Sequence, residues 1–137
     1  MDVVEKGGRK FSPGFRLSGV DVAVLVVGAV AVVGMAFVDG WLASAVGFVV
    51  GHFFLFCNVL RMSRMPELIW AVVFAVMAMD VVLFEEIAWL TAFGVSAGLT
   101  AVLAVIEMRR ASYHGVGWRW VNPGLPQWWE KHETLRQ

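Results

Sequence analysis

The amino-acid sequence predicts an all-α integral membrane protein: four transmembrane helices in a bundle, N-in/C-in, with a Trp-rich interfacial cytoplasmic C-terminal tail. Three observations carry this expectation. The chain is too apolar for a soluble domain, since 59% of its 137 residues are hydrophobic and only 16% are charged. Soluble domains run near 45–50% and about 25%. Four stretches are apolar for about the 20 residues that a helix needs to cross a bilayer. All 11 Lys and Arg residues fall on one side of that four-span arrangement.

Residues 1–19 read as a cytoplasmic tail, broken by Gly7-Gly8 and Pro13-Gly14, with Phe11, Phe15 and Leu17 placed to dip into the membrane interface. The transmembrane domain covers residues 20–109, with spans at about 20–38, 41–60, 67–84 and 87–108. Its first span begins after a polar stretch and exceeds the usual length of a signal-peptide core. Ala43-Ser44-Ala45 looks like a cleavage site, but another apolar run follows it, so the span is expected to stay uncleaved.

Asp39-Gly40 is the turn signal between the first two spans. Pro66 and Glu67 open the third, where a proline at the first helical position and a carboxylate suit the helix N-terminus. The third and fourth spans meet at Phe84-Glu85-Glu86-Ile87, which lacks Gly, Pro or Asn. One unbroken helix over residues 68–106 would be about 58 Å long, against a hydrocarbon core of ~30 Å. A tight hairpin is therefore expected. Arg109 and Arg110 close the fourth span at the negative end of its dipole. Trp41, Trp70 and Trp89 lie near expected span ends, as interfacial aromatics do.

Orientation follows from the basic residues. Lys6, Arg9, Lys10 and Arg16 precede the first span, Arg61 and Arg64 lie between the second and third, and Arg109, Arg110, Arg119, Lys131 and Arg136 follow the fourth. The other two connections carry only Asp39, Glu85 and Glu86. Both ends are thus placed in the cytoplasm, and the richness in Val, Ala, Gly and Arg over Lys points to a bacterial inner membrane.

At about 100° per residue, Ala43, Gly47, Gly51, Phe54, Asn58 and Arg61 share one narrow stripe of the second span. Gly47 and Gly51 form a small-xxx-small motif, which lets helix backbones approach in lipid, either within the chain or against a partner. Gly94 and Gly98 repeat it on the fourth span, beside Ala97 and Ala101, and are expected to pack tightly. The opposite face carries Ser96, Thr100 and Glu107, either lining a polar interior or bonding to local backbone carbonyls.

His52 lies near mid-membrane, where an ionisable group is expensive. It is either hydrogen-bonded to a neighbouring span or a functional group, such as a haem or chlorin ligand. His114 and His132 both fall in the tail, so a bis-histidine haem would need a second chain. Asp80 interrupts the third span close to the outer acidic rim. With Asn58 and Arg61, these residues form the candidate intramembrane polar set. Arg61 is either a solvated topological anchor or a partner for Glu67. Residues 110–137 form the cytoplasmic, interfacial tail, where Trp118, Trp120, Trp128 and Trp129 read as headgroup anchors or as a dock for a partner.

Zero net charge and a single cysteine, Cys57, argue against nucleic acid as a partner and exclude CxxC metal motifs. The chain holds no Walker A run, HExxH or Gly-x-Ser-x-Gly, and Gly115-Val116-Gly117 lacks the third glycine of a dinucleotide loop. These absences lead to the expectation of a non-enzymatic accessory or structural subunit of a larger membrane assembly, without catalytic or metal residues. The alternatives are a homo-oligomeric transporter or channel using His52 and Asp80, and a haem- or pigment-binding protein ligated through His52.

Overall fold

A computed structural model describes residues 11–134. Expectations resting on Gly7-Gly8, Lys6, Arg9, Lys10 and Arg136 lie outside the described residues. All regular structure within them is helical: α1 (Gly19–Ala36), α2 (Gly40–Phe54) continuing into a π-helical turn (Leu55–Val59), α3 (Arg64–Leu83), α4 (Trp89–Met108), α5 (Trp118–Val121) and α6 (Leu125–Thr134). Four segments, Gly19–Ala36, Gly40–Val59, Arg64–Leu83 and Trp89–Met108, are 18 to 20 residues long and apolar enough to cross a membrane. At 1.5 Å per residue they span about 27–30 Å, matching the hydrocarbon thickness.

Each helix end has a local cause. Ser18 and Asp21 form a capping box on α1, with the Ser18 N–H donating to the Asp21 carboxylate at 2.7 Å and the Asp21 N–H to Ser18 Oγ at 3.3 Å. The Asp39 carboxylate accepts from Trp41 N (2.7 Å) and Leu42 N (3.1 Å), which makes Gly40 the first residue of α2 instead of part of the turn. Beyond Phe54 the helix widens. Leu60 N donates to Leu55 O, the i to i+5 pattern of a π turn, and Arg61 stops it with φ of +50°.

Helix α3 starts at Arg64, earlier than expected, so Pro66 is its third residue instead of its first. That position is still free of intrahelical N–H demand. The hairpin after α3 forms without glycine. Glu85 adopts φ of +55°, its N–H and that of Phe84 donate to Asp80 O, and the Asp80 side chain accepts from Ile87 N at 3.2 Å.

The helices pack as α1 along α2 and α3 along α4. Gly28 is the one buried residue of α1, and a Cβ there would meet Val50 Cγ2 at 2.7 Å, so glycine sets the approach of these two helices. The core joins α2, the π turn, α3 and α4 through Ala45, Phe56, Leu60, Trp70, Phe74 and Leu103. Trp70, expected at the interface, is only 3% exposed. Outward faces remain apolar, as with Val26, Val30 and Val33 on α1 and Val72 and Val76 on α3. Such surface suits hydrocarbon far better than water.

Three chain segments meet at one end of the helices. Arg16 N donates to Asn58 O, Gly14 N to His114 O, and Val116 N to Val59 O. The tail is anchored there by Tyr113, 1% exposed, whose hydroxyl donates to Val116 O at 2.8 Å. Gly115-Val116-Gly117 is a docking turn. A Cβ on Gly115 would lie 2.5 Å from Leu60 O, and Gly117 has φ of +75°.

Candidate functional site

The polar residues marked by the sequence do not form one site. His52 sits in the aromatic core. Its Nδ1 lies 2.8 Å from Phe48 O, and since a carbonyl only accepts, Nδ1 carries the proton. Its ring stacks on Trp70 at 4.5 Å and 13°, with Phe48 and Phe56 at 4.2 and 5.7 Å. Trp70 stacks in turn on Phe74 at 5.4 Å. Its indole N–H donates to Ser96 O at 3.0 Å, a carbonyl that also accepts from Thr100 Oγ1 at 2.9 Å. The Ser96 hydroxyl is buried without a partner among the described residues. Ser96, Thr100 and Glu107 therefore face protein, and Thr100 bonds locally.

Asp80 is elsewhere. It stands ten residues after Trp70 on the same helix, about 15 Å of rise away, and anchors the α3–α4 turn. Near that end, Trp41, Val81, Glu85 and Trp89 are among the residues around an open depression of about 380 Å³.

Asn58 and Arg61 belong to the opposite end, on and just after the π turn. Asn58 is 1% exposed. Oriented by its hydrogen-bond network, its amide nitrogen donates to Asp21 Oδ2 at 2.9 Å and to Arg16 O. Asp21 also accepts from Ser18 N and Ser18 Oγ, so one carboxylate ties α1 to the π turn with three donors. Cys57 Sγ lies 3.9 Å from Glu67 Oε1 on α3. Arg61 makes no ion pair with Glu67 and donates to Ser12 O at 2.5 Å. Burial and then the neighbouring Arg16 charge push its guanidinium below the ordinary value. Glu107 is buried beside Arg110, with 3.2 Å between Oε2 and Nη1.

Asp21, Ser18 and Cys57 were missed as members of this cluster. The signal for the first two was legible, because Ser18-x-x-Asp21 before an apolar run is a capping-box pattern. That Asn58 would reach Asp21 depends on the π turn, which has no such signature.

The two glycine pairs fare differently. A Cβ at Gly47 would touch Val32 at 3.5 Å, ordinary packing against α1, while Gly51 faces open space. On α4 the expected tight packing is not made among the described residues. Gly94, Ala97, Gly98 and Ala101 are all exposed, and nothing among the described residues lies within 4 Å of a Cβ at either glycine. The α3–α4 contact uses the opposite face, because Trp70 and Phe74 need the depth beside Ala92, Ser96 and Thr100.

In the tail, Phe11 lies edge-on to Trp118 (6.0 Å) and Trp129 (5.5 Å), so these two indoles bind the N-terminal segment. Trp128 stacks on His132 at 4.0 Å. Trp120 is 89% exposed and stands free to meet an interface. Among the described residues, no cluster of three His, Cys, Asp or Glu side chains could hold a metal ion. No family model, no curated protein and no solved structure matches the chain.

Proposed function

We propose that this chain is a four-span bundle of the bacterial inner membrane, with both ends in the cytoplasm, acting as a non-enzymatic subunit of a larger membrane assembly. The observation that carries the reading is the open small-residue face of α4. Gly94, Ala97, Gly98 and Ala101 offer a smooth, exposed helix surface, and among the described residues nothing lies within 4 Å of a Cβ at either glycine. Lipid gains little from such a surface, whereas another helix gains close van der Waals contact. The orientation is supported by the hydrogen bonds that gather residues 12–16, 58–63 and 109–116, and with them Arg16, Arg61, Arg109 and Arg110, at one end. Trp120 adds an exposed aromatic on the same side.

The test is purification from the native membrane in mild detergent, with mass spectrometry of what accompanies the chain. Stoichiometric membrane partners that Gly98→Leu removes are the expected result. A lone, monodisperse chain in wild-type extracts overturns the reading.

A second reading, ligation of a haem or chlorin, is favoured by one feature of His52. Its Nδ1–H is fixed on a carbonyl, the arrangement that orients metal-bound imidazoles, and Nε2 has no partner among the described residues. An absorption band beyond the protein's own ultraviolet absorption, lost in His52→Ala, would support it. A spectrum without one, in natively purified material, ends it.

A further inference from the structure

Arg61 follows the second span by two residues, at the depth where helix ends meet lipid headgroups. Its backbone is held left-handed, with φ of +50°, a conformation that strained functional positions often keep. A guanidinium carries five N–H donors. Only one bond is made among the described residues, from Nη1 to Ser12 O. Arg16 is brought to the same end of the second span. The chain forces this approach, because Arg16 N is tied to Asn58 O, three residues before Arg61.

No carboxylate among the described residues lies at ion-pair distance from either arginine, the ion pair found there being Arg110 with Glu107. Asp21, the acid that feels the Arg16 charge, is already occupied by Ser18 and Asn58. Two cations thus share one end of the helices, one of them partly desolvated, and neither makes an ion pair among the described residues.

Between Phe11, Ser12, Pro13, Arg61, His114 and Trp129 lies a notch of about 30 Å³. That is room enough for a group the size of a water. Its surroundings suit a lipid better than a free ion. Phe15 is exposed beside Phe54 of α2, with ring centroids 5.9 Å apart, an apolar surface for acyl chains. Phe11 and Trp129 supply rings of the kind that settle at the headgroup level.

We infer that Arg61 and Arg16 bind the phosphate of an anionic phospholipid, with one phosphate oxygen entering the notch beside His114 and the acyl chains lying along Phe15 and Phe54. The planar guanidinium is matched to phosphate through paired N–H bonds. The inference rests on the four helices crossing the bilayer and not on any role as a subunit.

The test uses the full chain, stripped of native lipid in mild detergent and offered phosphatidylglycerol or phosphatidylcholine, with retained lipid read by native mass spectrometry. Phosphatidylglycerol is expected to be retained over phosphatidylcholine. Arg61→Asn, chosen because Asn tolerates a left-handed backbone, is expected to weaken that retention about tenfold. Arg16→Gln, at an exposed position, should weaken it in the same direction and keeps the test alive if Arg61→Asn does not fold. Arg119→Gln, whose guanidinium lies over Trp118 at 5.7 Å, should change nothing. Wild-type retention in a folded Arg61→Asn or Arg16→Gln protein overturns the site. An equal loss in Arg119→Gln overturns it too, by showing undirected charge attraction. Displacement of phosphatidylglycerol by inorganic phosphate, with no preference between the two lipids, overturns the lipid assignment in favour of a free anion.

Discussion

Replacing Gly115 by alanine should release the tail. The new Cβ would lie 2.5 Å from Leu60 O and 2.7 Å from Tyr113 Oη. The first obstacle is backbone at the end of a packed helix, so the tail must move instead. Movement breaks the Val116 N to Val59 O bond of 2.7 Å and opens the socket that leaves Tyr113 1% exposed. One backbone hydrogen bond contributes about 1 kcal/mol net, and partial exposure of a large side chain costs about 1–2 kcal/mol. A loss of about 2–3 kcal/mol corresponds to local opening roughly 30-fold or more above wild type. Hydrogen–deuterium exchange in detergent should show it at residues 113–116, while α3 and α4 keep their protection. Gly124→Ala is the matched control, since nothing lies within 4 Å of a Cβ there and its φ is unremarkable. Equal exchange in Gly115→Ala and wild type, or an equal rise in Gly124→Ala, would refute the docking argument.

Three further outcomes follow from the same geometry. Asn58→Asp should lower the thermal midpoint in detergent more than Asn58→Ala, because it sets a second carboxylate where an amide donated to Asp21 at 2.9 Å. The reverse order would show that the amide is not that donor. Trp70→Phe keeps the ring stack but removes the donor to Ser96 O, which retains Thr100. Thermal unfolding should then register about 1–2 kcal/mol, of which about 0.6 is the bond between helices in lipid and the rest the cavity left by the smaller ring, and a cost several times larger would count against this account. Burial first, and the Glu107 charge second, raise the Tyr113 phenol above its ordinary value of 10.0. A raised folded-state pKa means that the folded tail holds the proton more tightly than the free one. The stability it contributes is complete below pH 10.0 and is lost as pH rises through the folded value. Tail exchange that is flat across this range while Tyr113 ionises would exclude the linkage.

The four apolar helices were legible because a bilayer demands length and apolarity at every position of a span, and both are local properties. Helix ends were partly legible. Asp39 and Ser18-x-x-Asp21 state their caps in the residues themselves. The α3–α4 turn does not, since its left-handed residue is Glu85 and its anchor is the side chain of Asp80, seven residues before the N–H it holds. Trp70 was misplaced for a related reason. Nearness to a span end suits an interfacial indole, but one turn of helix before Phe74 also suits a stack, and only the arrival of α4 decides between them. The candidate residues stand apart in depth, which their positions already give, and what was not legible is direction. His52, Asp80 and Asn58 occupy three different levels, and only Asn58 meets a partner carboxylate.

The small-residue motifs mark where sequence stops and geometry begins. In water an exposed apolar helix face is a liability, so a stripe of glycine and alanine would be filled by folding. In lipid no such force exists, and a stripe is filled only if a neighbour has shape to offer. Val32 offers it to Gly47, and Val50 offers it to Gly28, where 2.7 Å leaves no room for a methyl group. The face of α4 bearing Gly94 and Gly98 receives nothing among the described residues, because α4 meets Trp70 and Phe74 through Ala92, Ser96 and Thr100. A bulky residue at Gly28 must therefore separate α1 from α2. The same residue at Gly98 leaves the fold of the chain intact and reaches only what lies beyond it. That asymmetry is why the open face of α4, and not the motif itself, supports an association outside the chain.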